Sequence, residues 1–578
     1  MARQQNFAED GDLFNKLPDS IVHHILCLLD LKDRSRLSCV SRRYRELCIS
    51  APWVTLNNFV DRPNSTRRRF LFNNFVDRLL SLRSWHGVKI QNFLLQWDFG
   101  ELFEEEAYRI DTWLYHVVNL GVQKIAFRLT TQRFALPQCV LNCKSIVLLH
   151  INTNDGILKL PSTSSGFGIN TTLQALVLIS VRIEDDDCFG EWLSQFKYLK
   201  ELNLTGVCGK KSLSIHNYSS SLGCGVDNSL KKLTLDSLQI EDDYFGEWLS
   251  HFKSLKVLIL TRVSGIKSMS IHNSSIDVLE IQHCNDLVDI SIFAEKLRRL
   301  HVRWYPYNNS SGFGSLKIFA PNLENFRWVG RVVDYHCRGD FSHKLNLTID
   351  LSLSDQLYES STKYSLRKIL HSMQRAKVLT LRDEFVEVLF KYGCLPYSFD
   401  HLEHLAIVRM SSFEDNIPAL SSFLKETINL KRLVILNDAK VANSMPSGKL
   451  SFKLEYWESQ NLMFTNQLKI VIMELSWGSD VELMKYLLKN TKELEEASII
   501  SSPAVPTNLI IELKKVVGCA SSVGLFPVAL GPSFLDEGVG TGPVTTQVGP
   551  ACAQTRPGLP GTCLWQTKLF QANCGRQT

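Results

Sequence analysis

An α/β fold is predicted for this chain of 578 residues: a small N-terminal helical module, a curved solenoid with parallel strands, a C-terminal cap and a disordered tail. Three observations predict it. Leu17 to Trp53 carries apolar residues at helical spacing between polar breaks. A motif Φ-x-x-Φ-x-Φ (Φ apolar) then recurs at intervals of roughly 21 to 31 residues. Beyond Lys515 periodicity stops, and Gly and Pro become frequent.

Bulk properties narrow the function classes. At 44% hydrophobic and 21% charged, the composition is that of a soluble globular protein. A net charge of +5 is small for this length and gives no reason to expect nucleic acid or an anionic membrane as partner. The one basic run, Arg67-Arg68-Arg69, is expected on a solvated helix face. Met1 to Phe14 carries Glu9, Asp10 and Asp12 and has no apolar h-region, so no secretory leader is expected. No later run of about 18 apolar residues predicts a membrane span. The sequons at Asn64, Asn170 and Asn203 should therefore go unused. The fifteen cysteines are odd in number, and neither Cys139 with Cys143 nor His283 with Cys284 has a second pair at zinc-site spacing. Buried free thiols in a reducing compartment, nucleus and/or cytoplasm, are expected, with no metal and no cofactor.

At the N-terminus, Pro18 restricts Leu17, and Asp19 and Ser20 can cap a helix. Ile21, Ile25 and Leu28 then recur at i, i+4, i+7. Leu29 to Asp33 breaks the pattern, and Leu37, Val40, Tyr44 and Leu47 form a second stripe from which Arg42, Arg43 and Arg45 largely fall away. Pro52 ends it, before Trp53. A segment of about 40 residues cannot build a sufficient core alone. Periodicity leaves open whether it buries its apolar side on a partner or on the rest of the chain.

In these residues the segment resembles an F-box. The pattern reads Leu17-Pro18, Ile21, Ile25, Leu29, Asp33, Leu37 and Val40-Ser41-Arg42-Arg43-Tyr44-Arg45-Glu46-Leu47, with Trp53 beyond; Tyr44 stands where a tryptophan is more usual. The resemblance implies a helical module that docks on a Skp-family adaptor and, through it, on the cullin and RING subunits of a ubiquitin ligase. It assigns adaptor binding to Leu17, Pro18, Ile21, Ile25, Leu29, Leu37, Val40 and Tyr44.

Next, Phe59 to Arg83 is apolar at helical spacing through Phe72, Phe75, Val76, Leu79 and Leu80. Val88 to Leu95 reads as a strand, and Glu101 to Val118 as a helix with Ile110, Trp113, Leu114 and Val117 on one side. The Φ-x-x-Φ-x-Φ motif follows, its first positions being Val122, Ile146, Leu173, Leu199, Leu230, Leu255, Ile276, Leu297, Leu323, Ala376, Leu402 and Leu430, with a degenerate copy expected at Leu345 to Leu353. This spacing is that of leucine-rich repeats. The last two Φ of each copy point to one side of a strand, and stacking copies makes a continuous core and a parallel sheet.

Two copies are near duplicates. Ile183 to Ser194 returns as Ile240 to Ser250, and Ser214-Ile215-His216-Asn217 returns as Ser270-Ile271-His272-Asn273. In each, Phe, Trp, Leu and Phe (Phe189, Trp192, Leu193, Phe196; Phe245, Trp248, Leu249, Phe252) fall at i, i+3, i+4, i+7 of a core-facing helix with an acidic first turn. Acids there are ordinary caps, and duplication alone copies the histidine, so an acid–base or metal site on Asp186 and Asp243 is the weaker reading.

From Phe452 the pattern changes. Leu468, Ile470 and Ile472 alternate as a strand, Trp477-Gly478-Ser479-Asp480 turns and caps, Val481, Met484, Leu487 and Leu488 continue as a helix, and Ile499-Ile500 return to strand. In Leu468, Ile470, Gly478, Glu482, Leu483, Leu487, Leu488 and Leu494 this stretch resembles the FBD module found after leucine-rich repeats in many plant F-box proteins. The expected organisation is F-box 11–57, connecting helices and first repeat 58–120, leucine-rich repeats 121–451, FBD-like module 452–515, and a disordered or non-native tail 516–578.

The resemblance implies a non-catalytic substrate receptor of an SCF-type ubiquitin ligase, with the repeats binding a target protein that no residue names. A repeat scaffold disengaged from any ligase is the alternative. No phosphate loop, H-E-x-x-H or G-x-S-x-G motif occurs.

Overall fold

The computed structural model describes residues 17–29, 31–57, 66–97, 101–160, 172–184, 189, 192–193, 195–209, 229–240, 245–305, 314–339, 341, 344–352, 359–382, 385, 398–410, 413–437, 452–475, 479–501 and 523–527. The acidic turns at Asp185–Asp187 and Glu241–Asp243, the first Ser-Ile-His-Asn copy, Gly478 and most of the expected tail lie outside these residues.

Three short helices come first: α1 (Asp19–Leu28), α2 (Leu31–Val40) and α3 (Arg42–Ser50). Pro18 starts α1, its carbonyl accepting from the N–H of Ile21 and Val22 at 3.0 and 3.1 Å. The break after α1 is shorter than expected, because Leu31 already belongs to α2. The second apolar stripe is also not one helix. Ser41 is extended (φ −150°, ψ 162°) and its hydroxyl accepts the Tyr44 N–H at 3.1 Å, an N-cap that separates α2 from α3. Tyr44 and Leu47 therefore turn inward while Val40 turns out. With Val22 and Leu26 they form a small core, edged by Leu17, Leu29, Leu37 and Cys48.

Only Ala51 and Pro52 separate α3 from β1 (Trp53–Asn57), the first strand of a sheet that has 19 strands among the described residues. Its strands are parallel and pair in chain order, from β1 through β2 (Asn92–Trp97) to Val523–Pro527; Arg133–Ala135 adds a short pairing beside Leu148–Lys159. Register keeps equivalent repeat positions opposite one another: Leu202, Leu233, Leu258, Leu279 and Leu300 align, as do Leu204, Leu235, Leu260, Ile281 and Val302. Every first Φ position named above is at most 1% exposed. The degenerate copy is present as buried Leu345 followed by the strand Asn346–Ser352.

Side-chain hydroxyls stitch successive repeats. Ser145, Thr172, Ser229 and Ser275 each stand just before a first Φ, and each donates to the carbonyl of the preceding first Φ (Val122, Ile146, Leu199, Leu255) at 2.7–2.8 Å. These bonds satisfy carbonyls that the turn leaves outside the sheet ladder. The duplicated Asn has a comparable task. Buried Asn273 donates to Leu249 O and Phe252 O and accepts from the Ser275 N–H, while His272 stacks on Phe293 with ring centroids 4.5 Å apart.

On the core side of the sheet lie two long helices, α4 (Thr66–Trp85) and α5 (Glu104–Asn119), and a second parallel sheet of Ser268–His272, Asp289–Phe293, Ser315–Phe319 and Asp334–Cys337. Helices Phe245–His251 and Glu359–Met373 pack beside its first and last strands, covering edges that would otherwise offer unpaired backbone. One expectation is corrected here. Arg67 and Arg68 are solvated, but Arg69 forms a nearly buried ion pair with Glu106 and lies over Phe103 (4.1 Å) and Trp97 (5.6 Å). Its long stem reaches across to α5, which sequence spacing could not reveal.

The C-terminal cap has the expected strand–helix–strand order, Ile470–Leu475, Ser479–Asn490 and Glu496–Ser501. Ser479 is buried, its hydroxyl accepting the Phe452 N–H at 3.0 Å. Val523–Pro527 pairs with Ala497–Ser501, so the sheet takes five residues from the stretch expected to be structureless. An open strand edge supplies the backbone partners that composition alone does not disclose.

Candidate functional site

Two surfaces stand out: the outside of the helical module and the sheet face turned away from the core. In the module, α1 is apolar on two sides. Val22 and Leu26 take the inner side, leaving Ile21 46% and Leu28 63% exposed, one above the other at i, i+7. On α2, Val40 is 69% exposed. The residues expected to bind the adaptor thus divide. Pro18, Ile21 and Val40 are exposed and Ile25 is half-buried. Leu17, Leu29, Leu37 and Tyr44 pack in or against the module's own core. Tyr44 is 4% exposed and so acts in the free chain as a packing residue that shapes the surface. Leu28, absent from the expected set, joins it by its i+7 spacing from Ile21.

Polar contacts order this module. Arg43 donates to Leu17 O at 2.8 Å and pairs with Asp19 at 3.2 Å, tying the start of α3 to the start of α1. His23 meets the Ser50 hydroxyl at 3.0 Å at the other end. Arg34 Nε donates to Leu29 O at 2.9 Å, closing α1 against α2.

Strand alternation decides the second surface. The central outward position of successive strands is Asn203, Thr234, Ile259, Glu280, His301, Arg327, Thr348, Thr380, Ala406, Val434 and Ile472, aligned by register and all half-buried. Its middle is polar and charged, with ion pairs Asp236–Arg262 (2.6 Å) and Asp350–Arg382 (2.8 Å). Its C-terminal part is aliphatic: Val434, Leu436, Ile470, Ile472 and Ile500 face outward from strands whose inner side is also apolar. Strands apolar on both faces are usually covered on both.

Elsewhere, burial shifts two titratable groups strongly. Desolvation holds the His150 imidazole down to about 4 and pushes the Cys284 thiol up to about 11. Among the described residues, no group of three or more His, Cys, Asp and Glu could hold a metal ion. A cleft of about 740 Å³ between α4 and α5 is lined by Asp77, Glu104, Glu105, Tyr108 and His116, but Asp77 is engaged by Arg109 and by Trp113 Nε1 at 2.6 Å.

Residues 14–52 match the F-box domain family. Over most of its length the chain is similar to two putative F-box/FBD/LRR-repeat proteins of Arabidopsis thaliana. One is 22% identical, covering 85% of this chain and 89% of that protein; the other is 23% identical, covering 88% and 98%. An F-box protein of the same plant is 29% identical over 68% of each chain. Some relatives are matched over less: an F-box/LRR-repeat protein is 28% identical across 37% of its length. Among solved structures, the crystal structure of PEPR1-AtPEP1 aligns with 77% of this chain and 75% of its own at 11% identity and a TM-score of 0.21, too low to support any argument. The chain therefore carries an F-box domain ahead of a parallel-strand repeat solenoid, the combination in its relatives' names.

Proposed function

We propose that this protein is the substrate-recognition subunit of an SCF-type ubiquitin ligase, acting in the nucleus and/or cytoplasm. Its F-box holds a Skp-family adaptor, and through it the cullin and RING subunits. The observation that carries the proposal is the exposed apolar side of α1 and α2. Ile21, Leu28 and Val40 stay out while the module buries a different set, Val22, Leu26, Tyr44 and Leu47. A helix with such a side is stabilised by covering it, and the described residues leave much of it exposed.

The target protein docks on the outward sheet face, where side chains from many repeats converge. This chain supplies proximity and orientation, and the bond-making belongs to the ubiquitin-carrying enzyme. The test is a pull-down from cell extract with full-length protein and with a folded Ile21→Asp/Val40→Asp variant. Wild type should capture adaptor and cullin, and the variant neither. Adaptor and cullin missing from both captures would favour the repeat scaffold disengaged from a ligase.

A further inference from the structure

We infer that Arg83 is a clamp that holds the F-box at a fixed angle to the repeat sheet, a positioning residue for presenting a bound target. The consequence for ubiquitin transfer rests on the receptor reading above; the clamp rests on geometry alone.

The joint between the two parts is short, and its buried apolar residue, Ala51, is small. Ala51 and Pro52 are the whole covalent link from α3 to β1. The module's cluster of Val22, Leu26, Tyr44 and Leu47 is separate from the large cluster of the sheet, which begins at Val54. Beyond the packing of α2 by β1 and of α3 by α4, two separate clusters joined by two residues need directional bonds to fix their angle.

Arg83 spans the joint. The residue belongs to α4, whose Val76 and Leu80 are part of the sheet's cluster. Its guanidinium reaches back to the end of α3, donating from Nη1 to Ala51 O at 2.8 Å and from Nη2 to Cys48 O at 3.2 Å. The last carbonyls of a helix lack partners within it and carry the negative end of its dipole, so a cation is favoured there. Burial is nearly complete, at 2% exposure. A charge so buried is tolerated only where hydrogen bonds hold it, and the flat guanidinium fork sets direction as well as distance. Desolvation first and Arg34 second lower its pKa, with Cys48 opposing, to about 10, so it stays a cation at neutral pH. The N–H groups of Gln91 and Asn92, which donate to Pro52 O at 2.8 and 3.2 Å, secure the sheet's side of the joint. Arg83 secures the helix's side.

The test uses the full-length chain with spin labels on noncanonical residues at Glu46 and Lys267, both exposed, one on α3 and one among the repeats. Distance distributions are measured for wild type, Arg83→Met and Arg83→Lys. Wild type should give one narrow distribution, Arg83→Met a broad one, and Arg83→Lys, which keeps charge but not the fork, an intermediate one. Amide exchange should stay slow in α3 and in the strand Arg432–Asn437 of each variant. Adaptor affinity should be unchanged in Arg83→Met, while ubiquitin transfer to a bound target falls about tenfold through misplacement. A wild-type distance distribution in Arg83→Met would overturn the clamp. So would fast exchange throughout α1–α3 in that variant with a native distribution in Arg83→Lys, since Arg83 would then stabilise the module without orienting it. A distance change in a protein that binds no adaptor would uphold the clamp and refute the receptor reading.

Discussion

Replacing Ile21 and Val40 together by aspartate tests the adaptor face with a predictable size. In the free chain these side chains are 46% and 69% exposed. Fully burying such a side chain stabilises by about 1.5–3 kcal/mol, so covering what remains exposed contributes about 1–2 kcal/mol each. Losing both costs about 2–4 kcal/mol, or a dissociation constant weaker by about 30- to 700-fold. Carboxylate desolvation adds to that penalty. The fold should barely notice, because exposed substitutions usually stay within about 0.5 kcal/mol. Calorimetric titration with a purified Skp-family adaptor gives the affinity, and a urea melt gives the stability. A folded double variant with wild-type affinity would refute the reasoning. Tyr44→Ala is the contrast: truncating a buried aromatic costs about 3–5 kcal/mol, more than so small a core can absorb. Its binding should vanish together with the helicity of α3. Lost binding with α3 intact would instead put the Tyr44 ring in the interface. Leu17→Ala would be a poor probe, since Leu17 packs against that same core.

Other predictions concern the solenoid. Asn273→Ala should destabilise by about 1–3 kcal/mol, because Leu249 O and Phe252 O lose their donor inside the protein; an unchanged urea midpoint would show that water replaces it. Glu106→Gln should cost about 3–5 kcal/mol by leaving Arg69 nearly buried without its counter-charge, read out as a lower melting temperature. His150, held down to about 4 by burial, should make stability fall with pH. The unfolded chain takes the proton first, near pH 6.5, so the contribution is full above that value and is lost as pH falls toward 4, by up to ~3 kcal/mol. His150→Gln should flatten this part of the profile in urea melts at pH 7 and 4.5, and an unaltered slope would assign it to other groups.

Sequence alone determined the phase of the repeats. A strand side chain points up or down with period two, so Leu199-x-x-Leu202-x-Leu204 and its copies could bury in one way only, and all three leucines are buried. The burial of the two Phe-Trp-Leu-Phe sets and the strand–helix–strand cap were legible for the same reason, since each pattern lies within a few consecutive residues. Contacts between distant residues were not. Which apolar side of α1 is covered depends on where Tyr44 and Leu47 arrive, and that depends on the Ser41 cap. Arg69 looked like part of a solvated run until α5 brought Glu106 to it, 37 residues along the chain. The serines and threonine that join repeats donate across 20 to 30 residues, and Arg83 reaches back across 32 to Ala51. Periodicity records whether a residue belongs inside; the partner it meets there is set by the three-dimensional path of the chain. For this protein the repeats were therefore plain in the sequence, while tertiary structure decided that Ile21, Leu28 and Val40 stay bare and that a buried arginine spans the joint behind them.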